Sequence, residues 1–266
     1  MRSRAFSIAV ALVLASTAGC GRATLHTGDD AAHGTRIARY RIHSRFVGRS
    51  LAQVVVTPAR VPARPPLLVF LHGKGGGPES NVNGAFLSAL AGLGRRAPAV
   101  VFPDGGDHSY WHDRRGGAWG RYVMSEVIPA AVRRLGADPK RVAIGGISMG
   151  GFAAFDLAFH HPGRFCAVGG HSAAVWLRAG DTAPGAFDDA RDFARNDVIA
   201  LARARALGAP AWLDGGASDP FVTGDTALAS VLHIRKRTWP GGHDGSYWSA
   251  HYGSYLRFYA DALARC

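Results

Sequence analysis

The chain is poor in acid, in sulfur and in long apolar runs. Its 266 residues hold 19 Asp and Glu against 31 Lys and Arg, with three cysteines and three methionines. The shortage of acid leaves a formal net charge of +12. Such a charge draws a protein to anionic surfaces, wall polymers or acidic substrates. The basic residues are mostly Arg and are spread along the chain, which favours a solvated basic surface instead. No helix-turn-helix, zinc-finger or single-strand-binding pattern accompanies them, so nucleic acid is not an expected partner. No internal repeat or low-complexity tract is present. No set of His, Cys, Asp and Glu has the spacing of a metal centre, and neither a catalytic metal nor a cofactor is expected.

What is present is enough for one substantial core: 47% hydrophobic residues, with six Trp, seven Tyr and thirteen Phe. The first twenty residues stand apart. Arg2 and Arg4 precede an apolar stretch from Ala5 to Ala18, closed by Thr17-Ala18-Gly19-Cys20. The stretch is short for a membrane span and has the layout of a secretory signal. The small residues before Cys20 resemble the processing site of a bacterial lipoprotein, although Thr17 stands where such sites carry an aliphatic residue. We therefore expect a signal over 1–19, a tether over 20–36 and a single domain over 37–266. Lipidation at Cys20 would hold the protein on the outer face of the membrane; ordinary cleavage would secrete it. Of the other cysteines, Cys166 lies in Phe165-Cys-Ala-Val, which reads as a buried strand. A free thiol there is favoured over pairing with the terminal Cys266.

Along the domain, period-two alternation marks outer strands over Ile37–Phe46 and Leu51–Thr57. Continuous apolar runs at Leu67–Leu71 and Ala99–Phe102 mark central parallel strands. Helical spacing covers Trp119–Leu135, where Pro129 implies a kink or late start. A strand over Arg141–Ile147, a helix over Met149–His160 and a strand over Phe165–Gly169 follow. The pattern weakens over Ser172–Asn196, read as a small lid-like insertion. It resumes with helices near Asp197–Leu207, Thr223–Leu232 and Tyr247–Leu263, between strands at Ala211–Asp214 and His233–Thr238. The fold class expected is α/β: a mostly parallel sheet covered by helices on both faces.

The chemistry concentrates at Gly146-Ile147-Ser148-Met149-Gly150, a Gly-x-Ser-x-Gly between an apolar strand and a helix-forming run. That is where a nucleophile elbow sits: a turn too tight for side chains at the flanking positions, projecting Ser148 beside a helix N-terminus. A serine hydroxyl needs a base and an orienting acid. Among twelve histidines, His243 in Trp239-Pro-Gly-Gly-His-Asp follows the last strand. Asp214 ends the preceding strand and Asp219 lies in the loop after it; Asp214, before two glycines, is read as capping the turn, and Asp219, farther out, as the acid. Asp244 adjoins His243 too closely in sequence to pair with it. Ser148, Asp219, His243 is the order of the α/β-hydrolase fold. In the glycine-rich loop His72-Gly-Lys-Gly-Gly-Gly, the backbone of Lys74 is expected to join that of Met149 in binding an oxyanion, with the Lys74 ammonium in solvent. The loop lacks the Gly-Lys-Ser/Thr ending of a phosphate loop. His72, Trp111 and His171 are read as substrate contacts.

These motifs together resemble the α/β-hydrolases related to esterase D, feruloyl and acetylxylan esterases and mycolyltransferases. The residues concerned are Leu71-His-Gly-x-Gly-Gly, Phe102-Pro-Asp-Gly, Trp111, Trp119, Glu126, Pro129, Gly-x-Ser-Met-Gly-Gly, His161-Pro-Gly-Arg-Phe, Pro240-Gly-Gly-His-Asp and Trp248. The resemblance covers residues 65 to 260. It implies a metal-independent carboxylic ester hydrolase with an acyl-serine intermediate, carrying nucleophile, acid and base onto Ser148, Asp219 and His243. The expected partner is a small-molecule or polymer-linked ester, met by a monomer that touches membrane only through an N-terminal lipid. An acyltransferase acting on envelope lipids or sugars is the alternative; a peptidase or a non-catalytic binding lipoprotein is less favoured. Residues 176–196 match no motif of this group.

Overall fold

A computed structural model describes residues 34–266; the signal, Cys20 and most of the tether read above lie outside the described residues. β1 (Thr35–Ser44) begins inside the stretch read as tether and pairs antiparallel with β2 (Arg49–Pro58). β3 (Leu67–Leu71), α1 (Gly84–Ala91) and β4 (Ala99–Pro103) follow, then a two-residue ribbon, β5 (Asp113–Arg114) and β6 (Gly117–Ala118). Next come α2 (Trp119–Tyr122), α3 (Ile128–Leu135), β7 (Val142–Ile147), α4 (Met149–His160), β8 (Val168–His171), α5 (Ala190–Arg195) and α6 (Val198–Ala204). β9 (Ala211–Gly216), α7 (Val222–Val231), β10 (Lys236–Trp239) and α8 (Gly245–Arg265) complete the chain.

The main sheet runs β1-β2-β4-β3-β7-β8-β9-β10. β2 is antiparallel to β4, and every pair from β4 to β10 is parallel. The central strands are apolar on both faces because both are covered. Leu67, Val69 and Leu71 face the core beneath α4, while Leu68 and Phe70 face the one beneath α1 and α8. Each such side chain, fully removed from water, contributes about 2 kcal/mol of transfer free energy. Gly145 and Gly169 on adjacent strands make room for α8: a Cβ at either would overlap the Tyr259 hydroxyl.

The helical stretch 119–135 is interrupted by a π-turn over Val123–Val127, where the Ile128 amide reaches back to the Val123 carbonyl. Pro129, with no N–H of its own, follows directly, so the kink expected there takes the form of a widened turn. One expectation is corrected. Cys166 is in a loop, since β8 starts only at Val168, and it is disulfide-bonded to Cys266. The 21-residue α8 carries the chain end back across the sheet to within a Cα–Cα distance of 5.8 Å, a proximity no local pattern around Cys166 encodes.

The insertion after Ser172 is pinned in place. Its Trp176 and Phe187 pack with Tyr110 and Phe152. Asp188 pairs with Arg114 at 2.9 Å, and the buried Asp192 with the buried His112 at 3.0 Å.

Candidate active site

β7 ends in the tight turn that the glycine spacing implies. A Cβ at Gly146 or Gly150 would lie 2.5 or 2.2 Å from the Leu71 carbonyl oxygen, so both positions exclude a side chain. Ser148 has φ +54°, a left-handed conformation that costs a non-glycine residue energy and that recurs where function demands it. The Ser148 amide donates to the His171 carbonyl, and its carbonyl accepts from Ala174 and Phe152, which hold the strained residue in place.

Three loops meet at Ser148. His243 Nε2 lies 2.9 Å from Ser148 Oγ, and His243 Nδ1 lies 2.9 Å from Asp219 Oδ2. With the carboxylate accepting, Nδ1 carries the proton, leaving Nε2 to accept from the serine hydroxyl. The loops bearing Asp219 and His243 are tied together: Ala217 and Ser218 donate their amides to the Trp239 and Gly241 carbonyls. Burial by itself would raise the Asp219 carboxyl. Hydrogen bonds from His243, the Phe221 amide and Ser172 outweigh it and hold the group below its ordinary value. Phe221 and Trp248 flank the imidazole at 5.1 and 5.3 Å between ring centres. Asp214 has a different place: buried on β9, it accepts from His171 Nδ1, Trp212 Nε1 and the Tyr247 and Tyr255 hydroxyls. Asp244 caps α8 through the Ser246 and Tyr247 amides.

The three residues read as substrate contacts are corrected. His72 is buried, its Nδ1 donating to the Gly73 carbonyl at 2.8 Å and its Nε2 accepting from the Gly105 amide at 2.9 Å. Burial lowers its pKa, as suits this neutral bridging tautomer. Trp111 is fully buried with its indole N–H on the His72 carbonyl. His171 is likewise buried, stacked 3.6 Å from Tyr255, its Nε2 meeting the Tyr259 hydroxyl. His72 and His171 stand at strand ends and Trp111 in the loop after β4, positions from which side chains can line a site; here all three turn inward to brace the loops.

A cavity of about 620 Å³ opens at Ser148 and His243. Its wall combines the loop from Gly73 to Gly76 with Ser80, Asn81 and Asn83, and with Trp248, Ser249 and Tyr252 of α8. None of it comes from residues 172–196. Sequence reasoning missed Asn81, Tyr252 and Ser172. Ser172, at φ +51°, accepts the Trp248 indole N–H at 3.1 Å and bonds Asp219. Its position one residue past the end of β8, beside the strand that leads to Ser148, was the available signal. Among the described residues no group of three or more His, Cys, Asp or Glu is placed to hold a metal ion.

The Esterase family model matches residues 47–259. The MPT51 antigen of Mycobacterium leprae (strain TN) is 35% identical over 92 residues, 34% of this chain and 31% of that protein. The match thus spans under a third of that relative's length. Among solved structures, a ferulic acid esterase superposes with TM-score 0.75 at 20% identity, covering 87% of this chain and 99% of its own. An S-formylglutathione hydrolase from Agrobacterium tumefaciens gives 0.73 at 20% identity, with 91% and 99% covered. With its α/β-hydrolase sheet and a family match over most of its length, this chain belongs to the Esterase family and is an enzyme of the carboxylic ester hydrolase class.

Proposed function

We propose that the protein is an exported serine esterase that works through an acyl-enzyme on Ser148. The observation that carries this reading is the continuous line Ser148 Oγ, His243, Asp219, with 2.9 Å at each step. His243 Nε2 takes the hydroxyl proton as Oγ attacks the ester carbonyl. The oxyanion is received by the amides of Met149, first residue of α4, and of Lys74 across the cavity. The imidazolium, steadied by Asp219, returns its proton to the leaving alcohol. Water, deprotonated by the same imidazole, then releases the acid. Export is supported by the signal-like first residues and by the Cys166–Cys266 disulfide, a bond that persists in oxidising compartments.

Turnover of short and long p-nitrophenyl esters by the purified protein, beside Ser148→Ala, tests the reading. The variant is expected to lose activity by about a million-fold relative to wild type; retention of wild-type turnover overturns the assignment. An added alcohol acceptor that yields transesterified product would assign the enzyme to acyl transfer instead. Mass analysis of the mature N-terminus decides lipidation: an unmodified residue other than Cys20 there rejects it.

A further inference from the structure

The cavity at Ser148 has an asymmetric charge. Of its lining residues, Lys74 brings the one lysine ammonium and none is an Asp or Glu. Lys74 has no ion-pair or hydrogen-bond partner for its ammonium among the described residues. Of the carboxylates on neighbouring loops, Glu79 pairs with Arg39 at 2.6 Å and Asp244 caps its own helix, while Asp107 is exposed and stands outside the cavity lining. Three helices also begin at the cavity wall, α1 at its cap Asn83, α4 at Ser148 and α8 at Gly245. Their N-terminal ends add partial positive charge, offset at α8 by the Asp244 cap. Asn81 supplies a further donor. It is only 5% exposed and lines the cavity, and its carbonyl oxygen accepts from the Tyr252 hydroxyl, leaving its amide hydrogens free for a ligand.

We propose that Lys74 and Asn81 select esters carrying an anionic group, a carboxylate or phosphate, within a lysine's reach of the scissile carbonyl. The inference rests on the esterase reading and names its substrate class. Such a substrate completes the one unpaired charge in the cavity; a neutral ester leaves the ammonium to solvent. The Lys74 backbone serves the oxyanion whatever side chain it bears, so selectivity and chemistry can be separated by substitution.

The test compares kcat/KM of the full chain for two pairs, each an anionic ester beside a neutral analogue: p-nitrophenyl hemisuccinate against p-nitrophenyl butyrate, and acetoxybenzoate against phenyl acetate. The first places the anion on the acyl side and the second on the alcohol side. We expect the wild type to favour the anionic member of one pair by roughly three- to tenfold at low salt, a preference that shrinks as salt is added. Lys74→Met abolishes that ratio whatever its absolute rate, and Lys74→Arg retains it. Lys140→Met, an equal charge change at the opposite end of β7, leaves it intact. No preference in the wild type, or an equal loss in Lys74→Met and Lys140→Met, overturns the proposal. Calorimetric binding of an unreactive amide, N-phenylsuccinamate against butyranilide, to Ser148→Ala with and without Lys74→Met reads selectivity without turnover. Charge-dependent binding lost with Lys74, in a protein that hydrolyses no ester, would sink the esterase reading and leave the selectivity standing. Binding indifferent to charge would sink the selectivity alone.

Discussion

Asp219 and Asp225 are near neighbours with opposite electrostatic fates. The vacant Cβ position of Gly215 lies 3.9 Å from Asp219 Oδ2 and 3.3 Å from Asp225 Oδ2. Asp219 accepts from His243, Phe221 and Ser172 and stays ionised. Asp225 is fully buried with no side-chain partner for either oxygen, and burial, then the Asp219 charge, push its pKa well up. Asp219→Asn would turn the imidazole to the wrong tautomer, and kcat is expected to fall about ten-thousand-fold with little change in fold, as circular dichroism would check. For Asp225 the sign runs the other way. A carboxyl whose folded pKa is raised binds its proton more tightly in the folded chain than in the unfolded one. Its contribution is therefore complete below the ordinary value of about 4 and is lost as pH rises through the folded pKa. Asp225→Asn, which never ionises, should melt above the wild type at neutral pH, with the gap closing toward acid. A gap independent of pH would show that Asp225 is not the titrating group.

At the level of the element, the stretch after Ser172 is anchored, besides its aromatic packing, by one buried carboxylate. Asp192 accepts from His112 Nε2, Arg195, Asn196 and the Asp188 amide. Burial opposes its charge, but those partners bring its pKa down to about 2. The stability it supplies is present above the ordinary carboxylate range and fades as pH falls from about 4 toward about 2. By the same linkage it amounts to about 2 kcal/mol at neutral pH. Denaturant unfolding of Asp192→Asn should show a deficit of that order near neutrality, and a smaller one in acid. The elbow is the second such element. Gly150→Ala sets a Cβ 2.2 Å from a backbone oxygen that cannot rotate away. Strand β3 or helix α4 must then shift, and a loss of about 3 kcal/mol is expected in the same assay.

For the molecule as a whole, the disulfide joins residues 100 apart and so closes the chain from the β7–β8 connection to the end of α8. Cross-linking a loop of that size restricts the unfolded chain, and Cys166→Ser is expected to cost about 2–4 kcal/mol in denaturant unfolding. Added reductant should lower the wild type to the level of the variant and leave the variant unmoved. Sequence reasoning favoured a free thiol here because it weighed only the apolar neighbours of Cys166. Elsewhere the alternation of apolar runs and helical spacing placed β3 (Leu67–Leu71) and α4 (Met149–His160) at their observed bounds. Strand periodicity failed where strands begin in loops: β8 starts three residues after the expected Phe165, and β10 starts at Lys236 against an expected His233.

The sequence by itself determined the order of the elements, the tight turn around Ser148, and the loops from which acid and base must come. Each of these is local: apolar periodicity is set by which face is buried, and a glycine on either side of a serine is set by backbone clearance. The sequence also singled out Asp219 over Asp214 as the partner of His243; only the tertiary structure decided that Asp214 is a buried acceptor for His171, Trp212, Tyr247 and Tyr255 rather than the cap of a turn. Asp214 and Asp219 are five residues apart on one strand and its loop, and the direction of a side chain depends on what packs against it. The same holds for His72, Trp111 and His171, which the sequence places in loops or at strand ends around the site yet which turn into the core. It holds too for Asn81, Trp248 and Tyr252, which meet at the cavity from β3–α1 and α8 because the sheet brings distant segments together.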